Sequence, residues 1–359
     1  MKRYNNLYNK ITFNDFLDVY KEVRSNTKNK KKTKKFEDFY SVNIVKAYNS
    51  FKDKNYKVGK YNIFLIREPK YRIIMSQNIT DKLINHIISR KILLPILDKS
   101  LIDTNIATRI GKGTHYGIKK LKSYLNELKV GKIYALKFDI SKYFYNIDHE
   151  ILINLIKNKI KDKGVIDLII NIINSTDEEY VNKNIKEIKE KEINKLSNKK
   201  QREEVERIPL YIKGKGLPIG NMSSQILAIY YLNELDHFIK ENFKCKYYIR
   251  YMDDGLLLSN NKEYLRYCLK EIIKVLDKYK LKTNNKTKII DVSNEGIDFL
   301  GFRFYIKNKV IMKVRNKTKL RFIKSVKLYR NDLIGYNVIN SYISHLKWGN
   351  CYFLAKIET

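Results

Sequence analysis

The chain has 359 residues, with 73 Lys+Arg against 38 Asp+Glu and a formal net charge of +35, which is length enough for a large core and more than one ordinary domain. The excess draws polyanions and supplies sequence-independent affinity through counterion release, although abundant Lys, Asn and Ile would also follow from a compositionally biased genome. Three scattered cysteines and five histidines outside metal-ligand spacings argue against zinc and for a reducing compartment.

Met1-Lys2-Arg3-Tyr4-Asn5-Asn6 is followed by no apolar core, so no signal peptide is expected. No stretch reaches the ~20 apolar residues that span a bilayer, and the expected location is cytoplasmic, without a membrane. Lys28 to Lys35 is a charge run that reads as an exposed loop, either touching RNA or simply solvated. Ile66-Arg67-Glu68-Pro69-Lys70-Tyr71-Arg72-Ile73-Ile74 falls in a strand pair around 60–75, and Thr80 to Ile88 begins like a capped amphipathic helix. Ile133 to Phe138 has strand propensity and ends at Asp139. Asp148, before Glu150, reads as a helix cap. Residues 176–207 are dense in Glu and Lys, and pairs such as Glu187/Lys191 suit an exposed helix inserted here, with partner contact as one use.

Gly216-Leu217-Pro218-Ile219-Gly220-Asn221-Met222-Ser223-Ser224-Gln225 follows. Its glycines allow backbone to approach a nucleotide closely, and a helix opens after Ser223. Tyr247-Tyr248-Ile249 and Gly255-Leu256-Leu257-Leu258 read as strands around Tyr251-Met252-Asp253-Asp254, a tight hairpin. Beyond Leu281 to Lys288 and Ile297 to Phe302, the stretch from Phe299 to Asn331 holds no acidic residue. Its lysines and arginines form a face suited to a phosphate backbone. Phe322, Ile323, Val326 and Tyr329 fall at helical spacing, leaving lysines opposite. The 28 tyrosines either stack on bases or fill core and surface.

Two adjacent carboxylates at a hairpin tip repel each other. Alone they would be a solvated turn, but Asp139 ends a second strand far upstream. Two-metal nucleotidyl transfer needs carboxylates from separate segments holding two cations roughly 3.5–4 Å apart. Asp139, Asp253 and Asp254 supply the number and type of ligand that magnesium prefers.

Taken in order, these segments resemble the reverse transcriptases of bacteria, the RNA-directed DNA polymerases. The resemblance implies an α+β right-hand polymerase fold: fingers at 1–125, a palm with an RRM-like antiparallel sheet at 126–305 carrying the charged insertion at about 176–207, and a short helical thumb at 306–359. It implies two Mg2+ ions, with Mn2+ as a substitute, at Asp139, Ile140, Asp253 and Asp254. Lys286, with Lys288 as the other candidate, matches the lysine that protonates the leaving pyrophosphate. Arg72 and Lys70 match the grip on the incoming triphosphate. Phe144, five residues after Asp139, matches the ring that excludes a 2′-hydroxyl; its other reading is a core phenylalanine. Gly216, Pro218, Gly220, Leu300 and Gly301 fall where the family contacts template and primer, the last two in the primer grip. The Ile219-Gly220 and Ser224-Gln225 pairs are most like the enzymes of diversity-generating retroelements, where Gln225 would bear on base-pair checking at the nucleotide; its other reading is a neutral variant.

The partners expected are an RNA template, a DNA or RNA primer, deoxynucleoside triphosphates and a small basic accessory protein. The alternatives are a phage-defence reverse transcriptase copying a dedicated non-coding RNA, and an inactive RNA-binding scaffold. So few residues follow the expected thumb that strand cleavage and template removal are expected from other proteins.

Overall fold

In the computed structural model, residues 3–27, 30–53, 56–68, 70–128, 130–349 and 351 are described. They form two compact units: Met1–Asp103 with Ile140–Phe238 and Ile273–Thr283, and Thr104–Asp139 with Ile239–Ile272 and Asn284–Thr359. Among the described residues no helix is long and apolar enough to cross a membrane.

The first unit is mostly helical. Its opening helix Phe13–Asn26 starts with a capping box between Thr12 and Asp15 and buries Phe16, Val19, Tyr20 and Val23, the spacing of one helical face. Strands β1 (Asn62–Ile66) and β2 (Arg72–Ser76) pair antiparallel. Helices Glu179–Ile193 and Lys199–Glu206 cover one face of that hairpin, packing Val181, Ile185 and Val205 among Ile63, Ile73 and Met75. The 176–207 segment is therefore not the exposed insertion expected: its apolar residues are few but share one face, and that face is buried. Helix Met222–Tyr231 is buried almost all round. Asp148 caps helix His149–Lys157 through the Ile151 amide, and Lys280 Nζ donates to its other oxygen at 2.7 Å, so the expected structural role holds. Burial works against its charge, but these bonds outweigh it and hold the carboxyl below its usual value.

Two further expectations need correcting here. The lysine run is the helix Lys30–Glu37, not a loop, because Thr33 and Phe36 lie three residues apart and are buried together; Lys28 and Asn29 lie outside the described residues. The helix expected from Thr80 spans Ile79–Ile87 and is capped by Asn78.

The second unit contains a four-stranded antiparallel sheet. Its strands are β3 (Tyr134–Asp139), β4 (Tyr248–Tyr251), β5 (Asp254–Ser259) and β6 (Lys288–Asp291), in the order β4-β5-β3-β6. A three-stranded meander follows, β7 (Ile297–Phe299), β8 (Phe302–Ile306) and β9 (Val310–Val314). Phe302 and Phe304 face the core while Arg303 between them is exposed. Each buried phenylalanine stabilises by about 2–3 kcal/mol. Helices Asn316–Arg330 and Tyr336–Trp348 complete the unit. Phe322 and Val326 bury as the pattern predicts, but Ile323 (43 % exposed) and Tyr329 (38 %) do not. A buried stripe one residue wide at i and i+4 leaves their neighbours outside.

Candidate active site

The carboxylates gather in the second unit. Asp139 is the last residue of β3 and Asp254 the first of β5, and the two are direct partners across the ladder. Asp253 sits in the turn between β4 and β5, after Met252, whose φ of 55° is left-handed. A side chain in that region costs about 1 kcal/mol or more, so the turn must be held. Arg250 holds it: its guanidinium, fully buried, donates to the Met252 carbonyl at 2.7 Å. The Arg250 main chain is anchored in turn, its amide donating to Thr104 O and its carbonyl accepting from the Ile106 amide, each at 3.0 Å. Gly255 has a steric reason. A Cβ there would stand 2.1 Å from Cζ of Phe138, whose ring lies across the strand pair.

Asp139 is fixed from β6's side. Asn284 Nδ2 donates to Asp139 Oδ2 at 2.5 Å, and the Asn284 amide donates to the Asp139 carbonyl at 2.9 Å. The Asp139 amide donates to Thr287 Oγ1 at 3.2 Å. Lys286 Nζ lies 3.8 Å from Asp139 Oδ2, whereas Lys288 is paired with Glu295. Of the two candidate lysines, Lys286 is the one beside Asp139. Sequence reasoning gives Asn284, Thr287 and Arg250 no role; the polar residues Asn284 and Thr287 flanking Lys286 are the signal for the first two.

Burial, and after it the charge of Asp139, pushes the Asp253 carboxyl well above the usual carboxylate range. Burial raises Asp254 as well, against the pull of Lys137, whose Nζ stands 3.7 Å from Asp254 Oδ1. Among the described residues no three His, Cys, Asp or Glu side chains converge as a metal cage as they stand. Asp254 instead has Lys137 beside it, and Asp139 has Asn284. The donor chemistry nevertheless fits a hard divalent cation: three neighbouring carboxylates, with Asp253 and Asp254 raised by burial, favour an ion that neutralises them.

Leu300 (φ 51°) and Gly301 (φ 89°) form the two-residue turn between β7 and β8. Two successive left-handed residues are the mark of a type I′ hairpin. Asp298 on β7 pairs with Arg315, just after β9.

The other candidates lie in the first unit. Arg72 opens β2 and is exposed, Lys70 is exposed in the connection from β1, and Pro69 lies outside the described residues. The chain enters this unit at Ile140, which is buried and bridges to Thr283. Phe144 is half-buried in the short helix Tyr143–Asn146, edge-on to Tyr143. Its carbonyl accepts from the Leu217 amide at 2.7 Å, and the Gly216 amide donates to Ile147 O at 2.8 Å. The Ile219 carbonyl accepts from the Met75 amide of β2 at 2.8 Å. Gly220 (φ 126°) could not carry a side chain, since its Cβ would stand 2.9 Å from Met75 O. Pro218 is buried, and Gln225 is half-buried in helix Met222–Tyr231. Backbone hydrogen bonds thus join β2, the Phe144 helix and the glycine segment into one framework.

The reverse transcriptase (RNA-dependent DNA polymerase) family matches residues 58–304. A putative COX1/OXI3 intron 2 protein of Saccharomyces cerevisiae is 26% identical over 202 residues, 46% of this chain and 23% of that protein. Among solved structures, telomerase from Candida albicans with a fragment of telomeric RNA aligns at a TM-score of 0.45 and 14% identity, over 78% of this chain and 50% of that one. Apo telomerase from Candida tropicalis, truncated from its C-terminal domain, aligns at 0.45 and 15%, over 77% and 60%. The chain spans about a quarter of the curated relative it matches.

Proposed function

From the premise that this chain belongs to the reverse transcriptase (RNA-dependent DNA polymerase) family, we propose that it copies RNA into DNA at Asp139, Asp253 and Asp254. The observation that carries this reading is the pairing of Asp139 with Asp254 across β3 and β5, with Asp253 in the adjoining turn. In this reading the fold is a right hand with fingers at 1–125, palm at 126–305 and thumb at 306–359.

Asp139 and Asp253, with Asp254 and Ile140 beside them, would hold Mg2+. Bound there, the ions would lower the pKa of the primer 3′-hydroxyl and neutralise charge on the leaving pyrophosphate. The 3′-hydroxyl gives up its proton to solvent and its oxygen bonds to the α-phosphorus as the bond to pyrophosphate breaks. Lys286, beside Asp139, gives the proton the pyrophosphate takes up. Arg72 grips the triphosphate with a planar fork and Lys70 with a point charge. Phe144, tied to the glycine segment through its own carbonyl, restricts the sugar to deoxyribose. Gly216, Pro218 and Gly220 line the template side, Gln225 bears on base-pair checking, and Leu300 with Gly301 steadies the primer. The Ile219-Gly220 and Ser224-Gln225 pairs favour the reverse transcriptase of a diversity-generating retroelement, working with its own template RNA and a small basic accessory protein.

Primer extension on an RNA template with Mg2+ tests the reading. DNA synthesis that Asp253→Asn abolishes is the expected result, and synthesis unaffected by that change would overturn it. Sequenced products with errors concentrated at template adenines support the retroelement reading; evenly spread errors point instead to a phage-defence enzyme. Phe144→Ala should weaken discrimination against ribonucleotides by about 10- to 100-fold in competition assays, and unchanged discrimination would return that ring to the core.

A further inference from the structure

The helices Glu179–Ile193 and Lys199–Glu206 have no part in the chemistry above, yet they pack on the hairpin that carries Lys70 and Arg72. A two-stranded hairpin is marginal by itself, and among the described residues β1 and β2 form a sheet of two strands. Val181 and Ile185, one helical turn apart and fully buried, lie against Ile63, Ile73 and Met75 of the hairpin. Where β1 ends, Arg67 makes a two-pronged pair with Glu192: Nε to Oε1 at 2.6 Å and Nη2 to Oε2 at 2.8 Å. Exposed ion pairs contribute little, but Glu192 is only 7 % exposed, and the bidentate geometry fixes direction as well as distance. Lys189 Nζ joins the helices' far ends, donating to the carbonyls of Glu206 at 2.9 Å and Ile208 at 2.7 Å. Asn182 then exchanges two hydrogen bonds with the Tyr211 main chain, and Tyr211 OH donates to the Leu217 carbonyl at 3.1 Å. The helix pair therefore runs from the hairpin's end to the glycine segment.

We propose that this helix pair is a brace for the β1–β2 hairpin, latched by Arg67 and Glu192, and that it sets the site's affinity for the incoming nucleoside triphosphate. The second half rests on the reading of Lys70 and Arg72 as the triphosphate grip. Arg67 and Glu192 are positioning residues: they act on the hairpin and through it on the nucleotide.

The test compares Glu192→Gln, Arg67→Glu and the reversed pair Arg67→Glu/Glu192→Arg, with Arg72→Ala as the control on the grip. Steady-state extension gives KM for the deoxynucleotide, and hydrogen exchange follows the amides of 62–76. Each single change is expected to raise KM about fivefold with kcat within about twofold, the net scale of one ordinary hydrogen bond. Exchange in the hairpin should speed up, and the reversed pair should restore both readouts. If Arg72→Ala raises KM while Glu192→Gln does not, the brace is overturned. If Arg72→Ala leaves KM unchanged, the grip reading fails instead, and hairpin exchange alone decides: faster exchange in Glu192→Gln keeps the brace, and unchanged exchange removes it.

Discussion

Asp253 and Arg250 carry opposite kinds of cost. Asp253 is disfavoured in its charged form by burial and by Asp139, so its folded value lies above the unfolded one, about 3.9. The sign follows by linkage: its contribution to stability is complete below the unfolded value and is lost as pH rises through the raised folded value. In metal-free protein, Asp253→Asn should therefore gain stability over the parent as pH rises, by about 2 °C in Tm at alkaline pH, while synthesis disappears. Thermal melts of both proteins across the pH range check this, and a difference that shrinks as pH rises would contradict the burial argument. Arg250 stabilises by position. Replacing it by Met leaves the Met252 carbonyl without its donor, and a shift of the turn by a fraction of an ångström should lower kcat about tenfold or more. Primer–template binding, measured by anisotropy, should not change. The tetrapeptide with its two aspartates was legible in the sequence because apolar strand runs flank it and a second strand ends at Asp139. Arg250 was not, because an arginine among 73 basic residues looks like surface charge until its burial is seen.

The elements around the aspartates are close-packed where β3 lies beside β5. Gly255→Ala would drive a methyl group into the Phe138 ring, and overpacking of that kind costs about 1–3 kcal/mol. The urea midpoint should fall accordingly. Gly255→Ala/Phe138→Leu should recover part of the loss in stability, though less of the activity, since Asp254 is the adjacent residue. The strands beside the aspartates were readable: the apolar run of β3 ends at a carboxylate and that of β5 begins at one. The helices at 30–37 and 179–206 were misjudged as exposed for one reason. Lysine and glutamate dominate their composition, and the one or two buried apolar positions that anchor each helix carry little weight in a count while deciding how it docks.

On the scale of the whole molecule, the formal net charge of +35 acts through counterions. Affinity for nucleic acid should fall steeply and linearly on a log–log plot against salt. Changing Lys324 and Lys327 of helix Asn316–Arg330, both exposed, to Glu should flatten that slope by about 1 per phosphate contact removed. Extension rates at saturating primer–template should stay unchanged. A slope identical to the parent's would remove this helix from the phosphate-binding face. By itself the sequence determined the family's order of motifs and the candidates for the chemistry: three carboxylates, a basic stretch, and turns that require glycine or tolerate left-handed backbone. These follow from residue type and from periods of two and 3.6, which are local. The tertiary structure alone decided which of two lysines stands beside Asp139, that Asn284 and Thr287 fix it, that Arg250 holds the turn, and that Glu192 meets Arg67. Apart from the Arg250–Met252 contact, which only burial of the guanidinium makes decisive, each depends on a partner distant in sequence or on which of two near neighbours meets it, and a linear pattern records which residues exist, not which of them meet when the core closes.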